Sequence, residues 1–185
     1  MEDIHKFRVF NKLKSVYRFN SVDKRKESSA EHSWSCLILA DFFISKYYPS
    51  LDRLKVYEIL MYHDVVEIEA GDCPLHPDIK RLDKKEKEKQ ASHLLEQSLP
   101  SPLNRKFTNL FNEFEEQKTL ESRFAKAIDA LDAQIHELDY KEDWKGWTEE
   151  FLVTKKMRLF EEFPEMKKIF FEIIDYLKEN DYFSQ

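Results

Sequence analysis

Only two glycines occur in this chain of 185 residues. Barrels, sandwiches and hairpins rely on glycine for turns that need positive φ. Six prolines do not replace it. Lys, Glu, Leu and Phe dominate instead, a mixture that favours helices. The expected fold is therefore all-α. At this length it is one domain spanning residues 1–185.

Apolar spacing divides the chain further. A first helix is expected from about Ile4 to Tyr17, with Phe7, Phe10, Leu13 and Val16 on one side. The stretch "RFNSVDKRKE" reads as a polar, basic loop, and no strand is expected anywhere. Ser28-Ser29-Ala30-Glu31 has the form of a capping box, so a helix should start near residue 29 and stop before Pro49. The next should cover about Leu51 to Ala70, with Gly71 as its cap. Beyond the loop "DCPLHPDIKR" lies a charged, exposed helix, and residues 120–140 form an alanine-containing one. Two more helices follow, divided at Pro164.

The formal net charge of −6 argues against a general nucleic-acid-binding surface. Cys36 and Cys73 have neither metal-type spacing nor the makings of a disulfide framework, which points to a reducing cytosol. The N-terminus lacks an apolar signal region, and no apolar run reaches membrane-spanning length. A cytoplasmic protein without membrane association is expected.

Three helices carry ionisable residues where their apolar stripes should continue. Val56, Leu60, His63 and Glu67 share one face. His32 begins the stripe that runs on through Cys36, Leu39, Phe43 and Tyr47. Ala125, Asp129, Asp132 and His136 lie beside the apolar stripe Phe124, Ile128, Leu131 and Ile135. Burying such groups costs several kcal/mol unless they are paired or bind a metal. Asp132 alone would be an ordinary carboxylate at the solvent boundary.

The ordered set "LKSVYRF", "RKESSAEHSW", "LMYHDVVEIEAGDCP" and "FAKAIDALDAQI" resembles the HD-domain metal-dependent phosphohydrolases, specifically their 5′-deoxynucleotidase-like branch. The resemblance covers roughly residues 7–140 and implies a helical bundle with additional C-terminal helices at about 147–180. It implies His32, His63, Asp64 and Asp129 as metal ligands, and Glu67 as the catalytic carboxylate. Arg18 matches the arginine that contacts the substrate phosphate, and Asp72 the Asp at the pocket edge. Phe19 stands where members often have Trp; it can stack on substrate but lacks the indole donor.

Two imidazoles and two carboxylates suit one divalent ion such as Mn, Co, Fe, Ni or Zn, with Mg also admissible. His76 and His93 do not fit a two-metal pattern. The implied activity is release of phosphate from (deoxy)nucleoside 5′-monophosphates. The alternative is a non-catalytic, metal-containing module that binds a nucleotide or a protein. Asp72 could equally cap its loop, Lys126 could screen the site or simply pair with Asp129, and the run Lys24-Arg25-Lys26 could guide an anion or remain solvated. The late aromatics Phe160, Phe163, Phe170 and Phe171 exceed what one helix face needs and suggest a homodimer.

Overall fold

A computed structural model describes residues 1–183. The helices are α1 (Glu2–Phe7), α2 (Ser29–Lys46), α3 (Arg53–Tyr62), α4 (Glu67–Ala70), α5 (Lys84–Ser98), α6 (Leu103–Glu116), α7 (Leu120–Glu137), α8 (Glu149–Lys156) and α9 (Pro164–Glu179). The all-α expectation holds, with one addition. Strands β1 (Tyr17–Val22) and β2 (Arg25–Ser28) form an antiparallel hairpin where a loop was expected.

The helix starts follow local chemistry. Ser28 and Glu31 form a complete capping box at α2. The side chains of Asp52, Thr119 and Thr148 accept from backbone N–H groups at the starts of α3, α7 and α8. Pro164 opens α9, where its missing N–H costs nothing.

α7 is the central element. Phe124, Ala125, Ala127, Ile128 and Leu131 are fully buried, and the helix packs against α2, α3, α6 and α9. Its alanines let these neighbours approach closely. The same apolar cluster takes in Trp144, Leu152, Phe160, Phe163, Phe170 and Leu177. Three of the four late aromatics thus belong to the chain's own core; Phe171 alone is substantially exposed. Phe160, Phe163 and Phe170 are covered within the chain itself and do not call for a second copy.

Two helix expectations change. The first helix ends at Phe7 and continues as a 3₁₀ segment over Arg8–Ser15. The stripe Phe7, Phe10, Leu13, Val16 has steps of three, which matches the 3₁₀ period rather than 3.6. The helix expected over 51–70 breaks after Tyr62 and resumes at Glu67. Across the break, Val65 N donates to Tyr62 O, Glu67 N to Asp64 O and Ile68 N to Val65 O, each three residues back. This tightened turn carries the His63-Asp64 pair.

The hairpin is secured by tertiary contacts. Ser21 N and Oγ donate to Asp143 at 2.6 and 2.9 Å, His136 Nε2 donates to Ser21 O at 2.7 Å, and Asp23 N to the Tyr140 hydroxyl at 3.1 Å. Both glycines adopt positive φ, 74° at Gly71 and 86° at Gly146. A Cβ at Gly146 would also stand 3.4 Å from Asp78 Oδ2 and 3.6 Å from the His76 ring.

Candidate metal and substrate site

His32 comes from the first turn of α2, His63 and Asp64 from the turn after α3, and Asp129 from the middle of α7. The structure brings these four together. His32 Nε2 is 3.2 Å from Asp129 Oδ1, His63 Nε2 is 3.2 Å from Asp64 Oδ1, and the two imidazole rings are 5.5 Å apart.

The far nitrogen of each ring is already committed. His63 Nδ1 donates to Leu60 O at 2.7 Å. His32 Nδ1 donates to Asp132 Oδ2 at 2.9 Å. A carbonyl and a carboxylate only accept, so Nδ1 carries a hydrogen in both rings. His32 Nε2 also lies against a carboxylate. Against burial and the charge of Arg18, its hydrogen bonds to Asp129 and Asp132 help hold that ring's pKa well above its ordinary value until a cation takes the place of the proton. His63 Nε2 is buried and, among the described residues, has no hydrogen-bond partner despite the nearby Asp64. Burial pushes the His63 pKa down, outweighing Asp64 and Asp129, which keeps the imidazole neutral as a ligand must be. An orphaned Nε2 beside the Asp64 carboxylate fits a bound cation.

His32, Cys36 and His63 offer donor atoms within 4.8 Å of one another. Cys36 shares the His32 stripe, as the sequence indicated, though it and Cys73 lack metal-type spacing; it lies one helical turn after His32, with Sγ 3.5 Å from His32 Nε2. Burial pushes its thiol up to about 12. Cys36 is sealed inside the core, whereas His63, Asp64 and Asp129 face a cavity of about 220 Å³. The carboxylates line that cavity, and the thiol does not.

Arg18, Phe19, Glu67 and Asp72 line the same cavity. The hairpin positions Arg18: Nε is 3.4 Å from Glu27 Oε2 and Nη1 is 3.3 Å from Asp64 Oδ2. Burial opposes its charge, but the carboxylates of Asp64, Glu67, Asp129 and Asp72 outweigh that and hold it firmly protonated. Glu67 Oε2 is 2.6 Å from Ser29 Oγ. Burial and the charges of Asp64 and Asp72 push its pKa well above the ordinary carboxylate value, against Arg18 and the Ser29 bond. Asp72 follows Gly71 at the cavity edge, and burial raises its pKa also.

Other residues depart from expectation. Asp132 is not at the solvent boundary; it is buried, and its Oδ1 accepts from Ser35 Oγ at 2.6 Å. Lys126 does pair with Asp129, at 3.5 Å, while lying 4.0 Å over the Phe114 ring. Arg25 pairs with Glu31, and Lys26 with the Phe19 carbonyl and Asp143, so these two are engaged structurally. The Phe19 ring packs 4.8 Å from His76.

A family model described as "HD domain" matches residues 10–167. The chain belongs to the HD-domain family. The HD match runs past residue 140 and takes in α8 and the start of α9. The 5′-deoxynucleotidase HDDC2 of Xenopus laevis is 28% identical over 139 residues, 73% of this chain and 67% of that protein. Human HDDC2 is 25% identical over 138 residues, 73% of this chain and 66% of the relative. The match thus spans about two thirds of these curated relatives. Among solved structures, one described as a predicted metal-dependent phosphohydrolase from Magnetospirillum magnetotacticum has a TM-score of 0.88 at 27% identity, covering 100% of this chain and 95% of that one. A conserved hypothetical protein from Pyrococcus furiosus has a TM-score of 0.65 at 26% identity, covering 89% and 98%.

Proposed function

We propose that this HD-domain protein is a divalent-metal-dependent phosphomonoesterase that releases phosphate from (deoxy)nucleoside 5′-monophosphates. The observation that carries the reading is the pair of imidazoles with occupied Nδ1 atoms, whose Nε2 atoms face Asp64 and Asp129 beside Arg18 and Glu67. His32, His63, Asp64 and Asp129 would hold one ion: Mn, Co, Fe, Ni or Zn, with Mg admissible. When bound, such an ion supplies Lewis acidity toward phosphoryl oxygen and water.

The protein's own groups supply the rest. The Arg18 guanidinium offers a planar fork for phosphate and offsets its charge. Glu67, buried and with its pKa raised by burial and the charges of Asp64 and Asp72, can pass a proton to the leaving sugar oxygen or take one from water. Asp72 and Phe19 stand at the edge where the sugar would enter. The deoxynucleotidase names of the relatives support this substrate class.

A non-catalytic nucleotide-binding module is the second reading, and Glu67 weighs against it. A buried carboxylate outside the ligand set is costly and has no role in binding an anion. The proposal also includes a single HD domain over residues 1–185 and a cytoplasmic location. Among the described residues no helix is long and apolar enough to cross a membrane. A homodimer belongs to it too, through the exposed α2 stripe Trp34, Ile38 and Phe42 rather than the C-terminal aromatics.

The test is phosphate release from a panel of nucleoside monophosphates with added Mn, Co and Mg, alongside elemental analysis. His63→Ala and Asp64→Ala should each lose the metal and the activity while remaining helical. Full metal content in either variant overturns the ligand assignment. A wild type inactive across the panel overturns the enzyme reading.

A further inference from the structure

Beyond the metal ligands, the cavity runs along α7 past Ala130 and Ala133 to Gln134, with Trp147 entering from the segment after α7. Gln134 is 1% and Trp147 3% exposed. Among the described residues, neither Gln134 Oε1 nor Trp147 Nε1 has a hydrogen-bond partner. Buried amide and indole groups are ordinarily satisfied, and leaving them unpaired costs stability. Two unpaired groups on one cavity indicate a ligand that completes them.

Three features say which part of a ligand this is. Gln134 lies five residues beyond Asp129, a rise of about 7.5 Å along the helix axis, far enough to clear a phosphate held at the metal ligands. The intervening residues that line the cavity, Ala130 and Ala133, leave room for a ring. The unpaired groups are neutral dipoles, which suit a neutral ligand better than an anion. Phe19 and Trp147 line this space, and the His76 ring packs against both, 4.8 Å from Phe19 and edge to face at 6.1 Å from Trp147. Lys156 also lines the cavity, but its Nζ donates to Ala130 O at 3.1 Å.

We propose that Gln134 and Trp147 are specificity-determining residues that bind the nucleoside half of the substrate, Trp147 donating to an acceptor and the Gln134 amide pairing beside it. The inference deepens the phosphatase reading and rests on it for the position of the phosphate. It gives the segment after α7 a direct part in recognition. A sugar hydroxyl and a base carbonyl both supply this chemistry.

The test compares wild type, Trp147→Phe and Gln134→Leu, all loaded with Mn. Trp147→Phe keeps a ring and removes the donor. Gln134→Leu keeps the volume and, having no protein partner to strand, should melt no lower than wild type. Binding of a deoxynucleoside and of inorganic phosphate is measured separately, with KM and kcat for deoxynucleoside monophosphates and for deoxyribose 5-phosphate. Each variant should bind deoxynucleoside about 3- to 10-fold more weakly, as expected for one neutral hydrogen bond, with phosphate binding unchanged. KM should rise while kcat holds. A rise confined to nucleoside monophosphates assigns the pair to the base; a rise shared by deoxyribose 5-phosphate assigns it to the sugar. Wild-type deoxynucleoside binding in both variants, equal losses for phosphate, or no deoxynucleoside binding by wild type overturns the inference. If deoxynucleoside binding weakens selectively in a protein that hydrolyses nothing, the inference stands and the phosphatase reading falls.

Discussion

His32 Nδ1 donates to Asp132 Oδ2 at 2.9 Å, and that carboxylate is itself held by Ser35 Oγ at 2.6 Å. The chain Ser35–Asp132–His32 orients the imidazole and fixes its tautomer so that Nε2 faces Asp129. Carboxylates behind a metal-binding histidine typically affect metal affinity 10- to 100-fold. Asp132→Ala should therefore weaken metal binding by about that factor, with α-helical content retained, and Asp132→Asn should recover part of it. Competition against a chelator of known affinity reads the effect. Unchanged affinity in Asp132→Ala would remove Asp132 from the site.

Glu67 is outside the ligand set, yet buried beside it. Glu67→Gln conserves shape and removes charge and proton affinity. It should keep its metal, melt at or above the wild-type temperature and lose phosphate release by roughly two to four orders of magnitude. Near-normal turnover with unchanged metal content would make Glu67 structural.

What was legible in the sequence follows from how local each signal is. The caps at Ser28 and Pro164 depend on residues within one helical turn, so they read directly, whereas the break that carries His63 and Asp64 read as continuous helix. The hairpin does not: Val22 is the only β-branched residue in it, its turn is Asp23-Lys24, and its anchors Asp143, His136 and Tyr140 lie more than 110 residues away. Asp132 looked like a surface residue because helical spacing alone cannot say that α2 covers that side of α7. Gln134, Glu137, Lys156 and Trp147 escaped for the same reason. They line the cavity only once α8 and the segment before it have folded back over α7.

The capping box offers a stability test at the start of the helix that carries His32. Glu31 Oε2 accepts from Ser28 N at 2.9 Å, and Ser28 Oγ accepts from Glu31 N at 3.3 Å. Ser28→Ala should cost about 1 kcal/mol, the usual value of an N-cap, and should lower the urea midpoint without changing the slope. Because α2 starts one residue later and carries His32 in its first turn, metal affinity should fall slightly as well. An unchanged midpoint would mean that packing against α7 alone sets the start of α2.

Glu137 and Lys156 are both buried and act on each other electrostatically, and their ionisation makes stability depend on pH. Burial raises Glu137 from 4.5 to about 8, with Asp143 adding and Lys156 and Arg18 opposing. Burial lowers Lys156 from 10.5 to about 8, against the charges of Glu137 and Asp129. Between pH 4.5 and 8 the folded chain holds a Glu137 proton that the unfolded chain has released. That contribution is full below 4.5 and is lost as pH rises through 8. Lys156 acts in the opposite sense: its contribution is present above 10.5 and is lost as pH falls through 8. Relative to wild type, Glu137→Gln should abolish the decline between pH 5 and 8. It should also let the Lys156-dependent rise begin below pH 8, because the lysine has lost its counter-charge. Glu137→Leu combined with Lys156→Met should be at least as stable as wild type at pH 8, since apolar replacement of two buried charged groups is often neutral or stabilising. Urea midpoints at pH 5, 6.5, 8 and 9.5 provide the comparison. Parallel profiles for wild type and both variants would mean that water reaches the pair and holds both groups near their ordinary pKa values.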